Sequence, residues 1–128
     1  MKRLVILFSL VFTLPLTAQD KHPELLVLEP YIGTWSGEVA PGVMDVSKWE
    51  WVIGGKAIRI LHSINKGAYG GESVLHWNNE KKAITYRYVT TARFYTEGTI
   101  EVNENGDLYV EEVVVGNMNG ASATKSGY

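Results

Sequence analysis

An all-β fold, a small antiparallel up-and-down barrel preceded by one short helix, is what this 128-residue sequence predicts. Three observations carry that expectation. From Gly33 onward, apolar and polar residues alternate with the period of two that half-buried strands require. Gly-, Pro- or Asn-rich turns part the alternating segments about every ten residues, the spacing of a sandwich or barrel. In Leu28-Glu29-Pro30-Tyr31-Ile32-Gly33-Thr34-Trp35-Ser36-Gly37-Glu38, an apolar turn meets a proline and a Gly-x-Trp opens the first strand, with Trp35 expected as a structural residue at the barrel entrance.

The first 18 residues read as a leader rather than as part of this fold. Met1-Lys2-Arg3 is basic, Leu4 to Leu14 is apolar apart from Ser9 and Thr13, and Leu16-Thr17-Ala18 offers small residues before Gln19. That order is the pattern of a secretory signal peptide, with cleavage expected after Ala18 and an exported (periplasmic or extracellular) product. The apolar run is shorter than the roughly 20 residues a membrane-spanning helix needs. An uncleaved anchor and a buried helix are the other readings of this run. Residues 19–128 then form one domain, in which ten basic side chains stand against fourteen acidic ones. No basic stripe appears, so the electrostatic footprint of nucleic-acid binding is missing. Cysteine is absent, so the fold relies on its core, to which Trp35, Trp49, Trp51 and Trp77 can each bring a large area.

Taken in order, the first element is a helix of two turns at most. Asp20 or His22 can cap it, Pro23 suits its first position, Glu24 favours its positive end, and Pro30 stops it. Leu25, Leu26 and Leu28 give it an apolar side, fit to plug one end of a barrel. Seven strands follow. Ile32 to Ala40 alternates Gly33, Trp35, Gly37 and Val39 against Thr34, Ser36 and Glu38, and Pro41-Gly42 ends it. Asp45 to Ile53 sets Ser47, Trp49, Trp51 and Ile53 opposite Lys48 and Glu50, before a tight turn at Gly54-Gly55. Lys56 to Asn65 groups Ile58, Ile60, His62 and Ile64, and a glycine-rich connection is expected from Lys66 through Gly70-Gly71. Glu72 to Trp77, Ala83 to Thr90, Phe94 to Asn103 and Leu108 to Val115 complete the series. Asn105-Gly106 is the strongest hairpin signal in the chain. Gly116 to Tyr128 is polar and weakly patterned, a loop toward an eighth strand that is not completed. A barrel needs closure to remove its edges. The expectation is therefore an open barrel, one closed by a partner, or a chain truncated after about residue 115.

Gly33-Thr34-Trp35-Ser36-Gly37-Glu38, followed by Trp49-x-Trp51-x-Ile53-Gly54-Gly55-Lys56, resembles a family of bacterial proteins of unknown function, the DUF1579 type. His62 in the third strand and Gly71-Glu72 to Trp77 in the fourth extend the likeness across roughly residues 25 to 115. The resemblance implies a lipocalin-like or calycin-like barrel and little about activity. Barrels of that kind pack the entrance tryptophan against an arginine of the last strand, and here no arginine follows Arg93. The haem-binding nitrobindin group shares the Gly-Thr-Trp opening. Its glycine-rich run ends in Tyr-Pro and its haem-ligating histidine lies late in the barrel, whereas this chain continues Ser36-Gly37-Glu38-Val39-Ala40-Pro41 and has no histidine after His76.

Chemistry has few places to sit. His62 shares a strand face with three isoleucines and is expected to point inward. His76 is expected outside, near Arg87, if Leu75 and Trp77 pair with Ile84 and Tyr86; a one-residue slip reverses this and would let both histidines hold a metal or haem. Two ligands fall short of the usual zinc set. Glu112 follows the alternation of Leu108, Val110 and Val114 inward, with Arg87 or Arg93 as its expected partner or with its tip in solvent. No Ser-His-Asp order or zinc spacing emerges, and Gly54-Gly55 and Gly70-Gly71 read as turns rather than phosphate-cradling loops, because no helix follows them. Inward aromatics remain, and a barrel of about eight strands either fills its interior with them or holds one ligand. The first functional expectation is a binding module whose lumen takes a small hydrophobic or aromatic molecule, lined by Trp49, Trp51, Ile60, His62, Tyr86 and Tyr88. The second is an enzyme with His62 as general base, assisted by Glu112 or Arg87. The third is a structural or interaction protein that pairs through the open edge after Val115; the chain is expected as a monomer or as a homodimer through an open sheet edge. No cofactor is implied apart from the haem alternative.

Overall fold

The computed structural model describes residues 20–116 and the backbone of 123–127. The leader expected at residues 1–18 lies outside the described residues. A 3-10 helix, Pro23–Tyr31, precedes eight strands: β1 (Gly33–Ala40), β2 (Val43–Val52), β3 (Ala57–Ile64), β4 (Tyr69–Asn78), β5 (Ala83–Thr90), β6 (Tyr95–Val102), β7 (Leu108–Val115) and β8 (Ala123–Gly127). Each strand pairs antiparallel with the next in the order β1 to β8. The result is an up-and-down sheet curled into a half-barrel. Among the described residues no pairing joins β1 to β8. The seven expected strands are all present, and five residues of the weakly patterned tail complete an eighth on β7.

The helix follows the three-residue period of its type, in which residues i and i+3 eclipse. Leu25 and Leu28, fully buried, stand in one row with Tyr31 and pack on the sheet. Leu26 and Val27 fall off that row and are 47% and 50% exposed, so the expected contribution of Leu26 is not made. Pro30 lies inside the helix rather than stopping it. His22 is the cap, its Nδ1 accepting from the Glu24 N–H at 3.3 Å. Three contacts fasten the start of the helix to the β2–β3 turn. His22 N–H donates to the Gly55 carbonyl (2.8 Å), and Lys56 Nζ reaches both Asp20 O (2.6 Å) and Asp20 Oδ2 (3.1 Å). At the other end, Glu29 takes Lys21 Nζ (2.7 Å) and the Trp51 indole N–H (2.9 Å). Those two donors, Lys21 first, hold the Glu29 carboxyl below its usual range.

Ile58, Leu75, Ile84, Tyr86, Ile100 and Leu108 join Leu25 and Leu28 in the core. The register puts them on one face of the sheet, which we call the core face. The opposite face carries cross-strand ion pairs at registered positions, Glu50 with Arg59 and Arg87 with Glu97. Opposite charges in such positions favour this register, weakly because solvent reaches them.

Three expectations need correction. Trp35 lies on the core face but is 53% exposed, because among the described residues β1 is the edge of the sheet and no strand packs beyond it; its indole N–H donates to the Tyr31 carbonyl at 2.7 Å. Ile53 does not continue the row of Trp49 and Trp51: it enters the turn with φ 52° and is 70% exposed. Gly70 and Gly71 are not part of a connection but residues of β4, facing Ser63 and His62; the turn is confined to Asn65–Gly67.

Candidate functional site

Reading the register across the core face gives successive rows of side chains. Trp51, Ile58, Leu75, Tyr86, Gly98 and Glu112 form one row, and Trp49, Ile60, Ser73, Tyr88, Thr96 and Val114 the next. Beyond them run Ser47, His62, Gly71 and Thr90. All six residues expected to line the lumen therefore share this face, on β2, β3 and β5. Tyr86 is buried, and the other five are half-buried, so they keep accessible surface beside the core cluster.

Glycines let tyrosines reach across these rows. Gly71 stands opposite His62 on one side and Thr90 on the other, and a Cβ there would lie 2.7 Å from the Tyr88 ring. Because that space is empty, Tyr88 leans over β4 and its hydroxyl meets His62 Nδ1 at 2.8 Å. Gly98 separates Tyr86 from Glu112 in the same way, and the Tyr86 hydroxyl donates to Glu112 Oε2 across β6. The ring of His62 is engaged at both nitrogens, since Nε2 lies 2.9 Å from Asp45 Oδ1. That carboxylate oxygen is buried and takes no well-aligned hydrogen bond, so its contact with His62 is one of proximity. A neutral ring with its proton on Nε2 accepts from Tyr88; a protonated ring donates to it. Tyr69 closes the group, its ring edge-on to His62 at 6.2 Å.

Burial pushes the Tyr88 phenol well above its ordinary value, with Tyr69 and then the Asp45 and Glu112 charges adding to the shift. Burial raises the Tyr86 phenol too, followed by its hydrogen bond to Glu112. Both hydroxyls therefore stay protonated at neutral pH and serve as fixed polar groups in an apolar face. Sequence reasoning had Glu112 inward but missed its partner: Arg87 is on the opposite face with Glu97, and the distance from β7 is bridged by Tyr86. It also missed Asp45 and Tyr69. Asp45 carries a legible signal, since it continues the period of Ser47, Trp49 and Trp51.

His76 pairs with Thr85 on the opposite face, its Nε2 3.2 Å from the hydroxyl. His62 and His76 are thus on different sides of the sheet and cannot hold one metal or haem between them. Among the described residues there is no group of three or more metal-ligating side chains, and no helix long and apolar enough to cross a membrane. A broad open groove of about 1580 Å³ runs along the side of the sheet that bears Leu61, Val74, His76, Arg87 and Glu97. Tyr86 is the one Phe, Tyr or Trp among its lining residues, and its Arg87 and Glu97 are already paired. The core face, where apolar rings adjoin a few fixed polar groups, has the composition of a small-molecule site.

No family model, curated protein or solved structure matches the chain.

Proposed function

We propose that this chain is an exported binding protein of the lipocalin-like kind that its sequence resembles, and that it holds a small hydrophobic or aromatic molecule against the core face. Trp49, Trp51, Ile60, His62 and Tyr88 contact the ligand, and Tyr86 with Glu112 supports the floor. The observation that carries this reading is the continuity of half-buried rings on β2, β3 and β5, ending at the Asp45–His62–Tyr88 group, which can orient one polar end of a ligand. The test is native mass spectrometry of gently purified protein, together with tryptophan fluorescence titrated with long-chain fatty acids and with haem. A retained small molecule, or saturable quenching that weakens in Trp49→Leu, is expected. Absence of both would remove the proposal.

A carboxylate, imidazole and phenol in line also invite a second reading, in which His62 is a general base. The geometry favours binding over this. Tyr88 holds Nδ1 and Asp45 crowds Nε2, so a substrate reaches either nitrogen only by displacing one of them. An activity screen with His62→Ala separates the two: equal rates in both proteins end the enzymatic reading.

A further inference from the structure

We infer that β1 is a homodimer interface, pairing antiparallel with β1 of a second copy about a two-fold axis at Ser36. The strand is exposed along nearly its whole length, and among the described residues nothing pairs with its outer edge. Edge strands are normally blunted by lysine, proline or inward-pointing charge. Gly33-Thr34-Trp35-Ser36-Gly37-Glu38 contains none of these on its edge. Its one charge, Glu38, is folded back to accept the Gly42 N–H at 2.6 Å. The irregularity between Glu38 and Ala40 leaves Gly33 to Glu38 as the regular stretch.

The sequence of that stretch is complementary to itself. Directly opposed residues of antiparallel strands share a face, so a two-fold axis at Ser36 sets Trp35 opposite Gly37 of the second copy and Thr34 opposite its Glu38. Each indole then lies over a glycine, an arrangement in which an aromatic side chain covers the gap a glycine leaves in an edge strand. It also gives Trp35, exposed in one copy, a surface to cover. The carboxylates face threonines rather than each other, which avoids opposed like charges. The core faces of both copies come onto the same side of one continuous sheet. A heterologous contact of β1 with β8 would instead run head to tail, into a ring or an open filament.

The chain has no cysteine, so one introduced thiol reads the register. Under mild oxidation Ser36→Cys is expected to give a disulfide-linked dimer, while Thr34→Cys, offset from its own copy, and Ser63→Cys, on the interior strand β3, are not. By sedimentation the unmodified protein is expected to be a dimer. Ser36→Lys, which opposes two ammonium groups at the axis, is expected to be a monomer with an unchanged circular dichroism spectrum. A monomeric unmodified protein, higher-order filaments, a Ser36→Lys dimer, or cross-linking no stronger at Ser36 than at Ser63 would each overturn the interface.

Discussion

At Gly71 an added methyl group meets the Tyr88 ring at 2.7 Å and the Val89 carbonyl closer still, so the Tyr88 hydroxyl reaches His62 only because residue 71 has no side chain. Gly71→Ala is therefore expected to cost on the order of 1–3 kcal/mol, the range for overpacking, as read by urea denaturation. Tyr88→Phe keeps the packing and loses only the hydrogen bond, so its cost is expected to be about 0.5–1.5 kcal/mol. The same hydroxyls set an alkaline limit. Unfolded tyrosines ionise near pH 10, whereas burial first, and then polar neighbours, hold Tyr86 and Tyr88 higher in the folded chain. A raised folded value stabilises the fold fully below about pH 10, and that contribution is lost as pH climbs through the folded values. Phenolate absorbance is expected to show Tyr86 and Tyr88 ionising later in the native protein than in denaturant, with the melting temperature falling on the alkaline side. Seven phenols titrating together near pH 10 in the native state would contradict this.

Among the elements, the N-terminal helix depends most on tertiary contact. Its Leu25 and Leu28 have no exposure, and Glu29 ties it to Trp51. Leu28→Ala is expected to cost about 2–5 kcal/mol, a large part of the ~5–15 kcal/mol that holds such a domain together; calorimetry checks it. The strands were legible because alternation and turn residues agree. Ala83–Thr90 and Leu108–Val115 have the expected bounds, and Leu75 and Trp77 pair with Tyr86 and Ile84 as their apolar match requires. Less legible was the helix, whose tighter period carries it through Pro30 and puts Leu26 outside. Gly70-Gly71 has the composition of a turn, and only the ring of Tyr88 explains why glycine is needed inside β4. In β8, Ala123–Gly127 shows no apolar alternation and Thr124 is its one strand former, so its place on β7 is set by pairing rather than by local preference.

For the whole molecule, one curled sheet offers two unlike surfaces. Cross-strand ion pairs set among exposed valines such as Val74, Val89 and Val113 make up one; aromatic rings with a few anchored hydroxyls make up the other. The placement of Trp49, Trp51, Ile60, His62, Tyr86 and Tyr88 together was readable from period-two spacing, since each follows its strand's apolar parity. Trp35 was not readable as exposed, because exposure at an edge depends on what lies beside the strand rather than on the strand itself. The claim that the aromatic surface is the binding surface is tested most directly by nuclear magnetic resonance during titration with a long-chain fatty acid. Saturable shifts in the indole N–H signals of Trp49 and Trp51 are expected. Shifts confined to Arg87, Glu97 and their neighbours on the other surface, or no shifts anywhere, would contradict it.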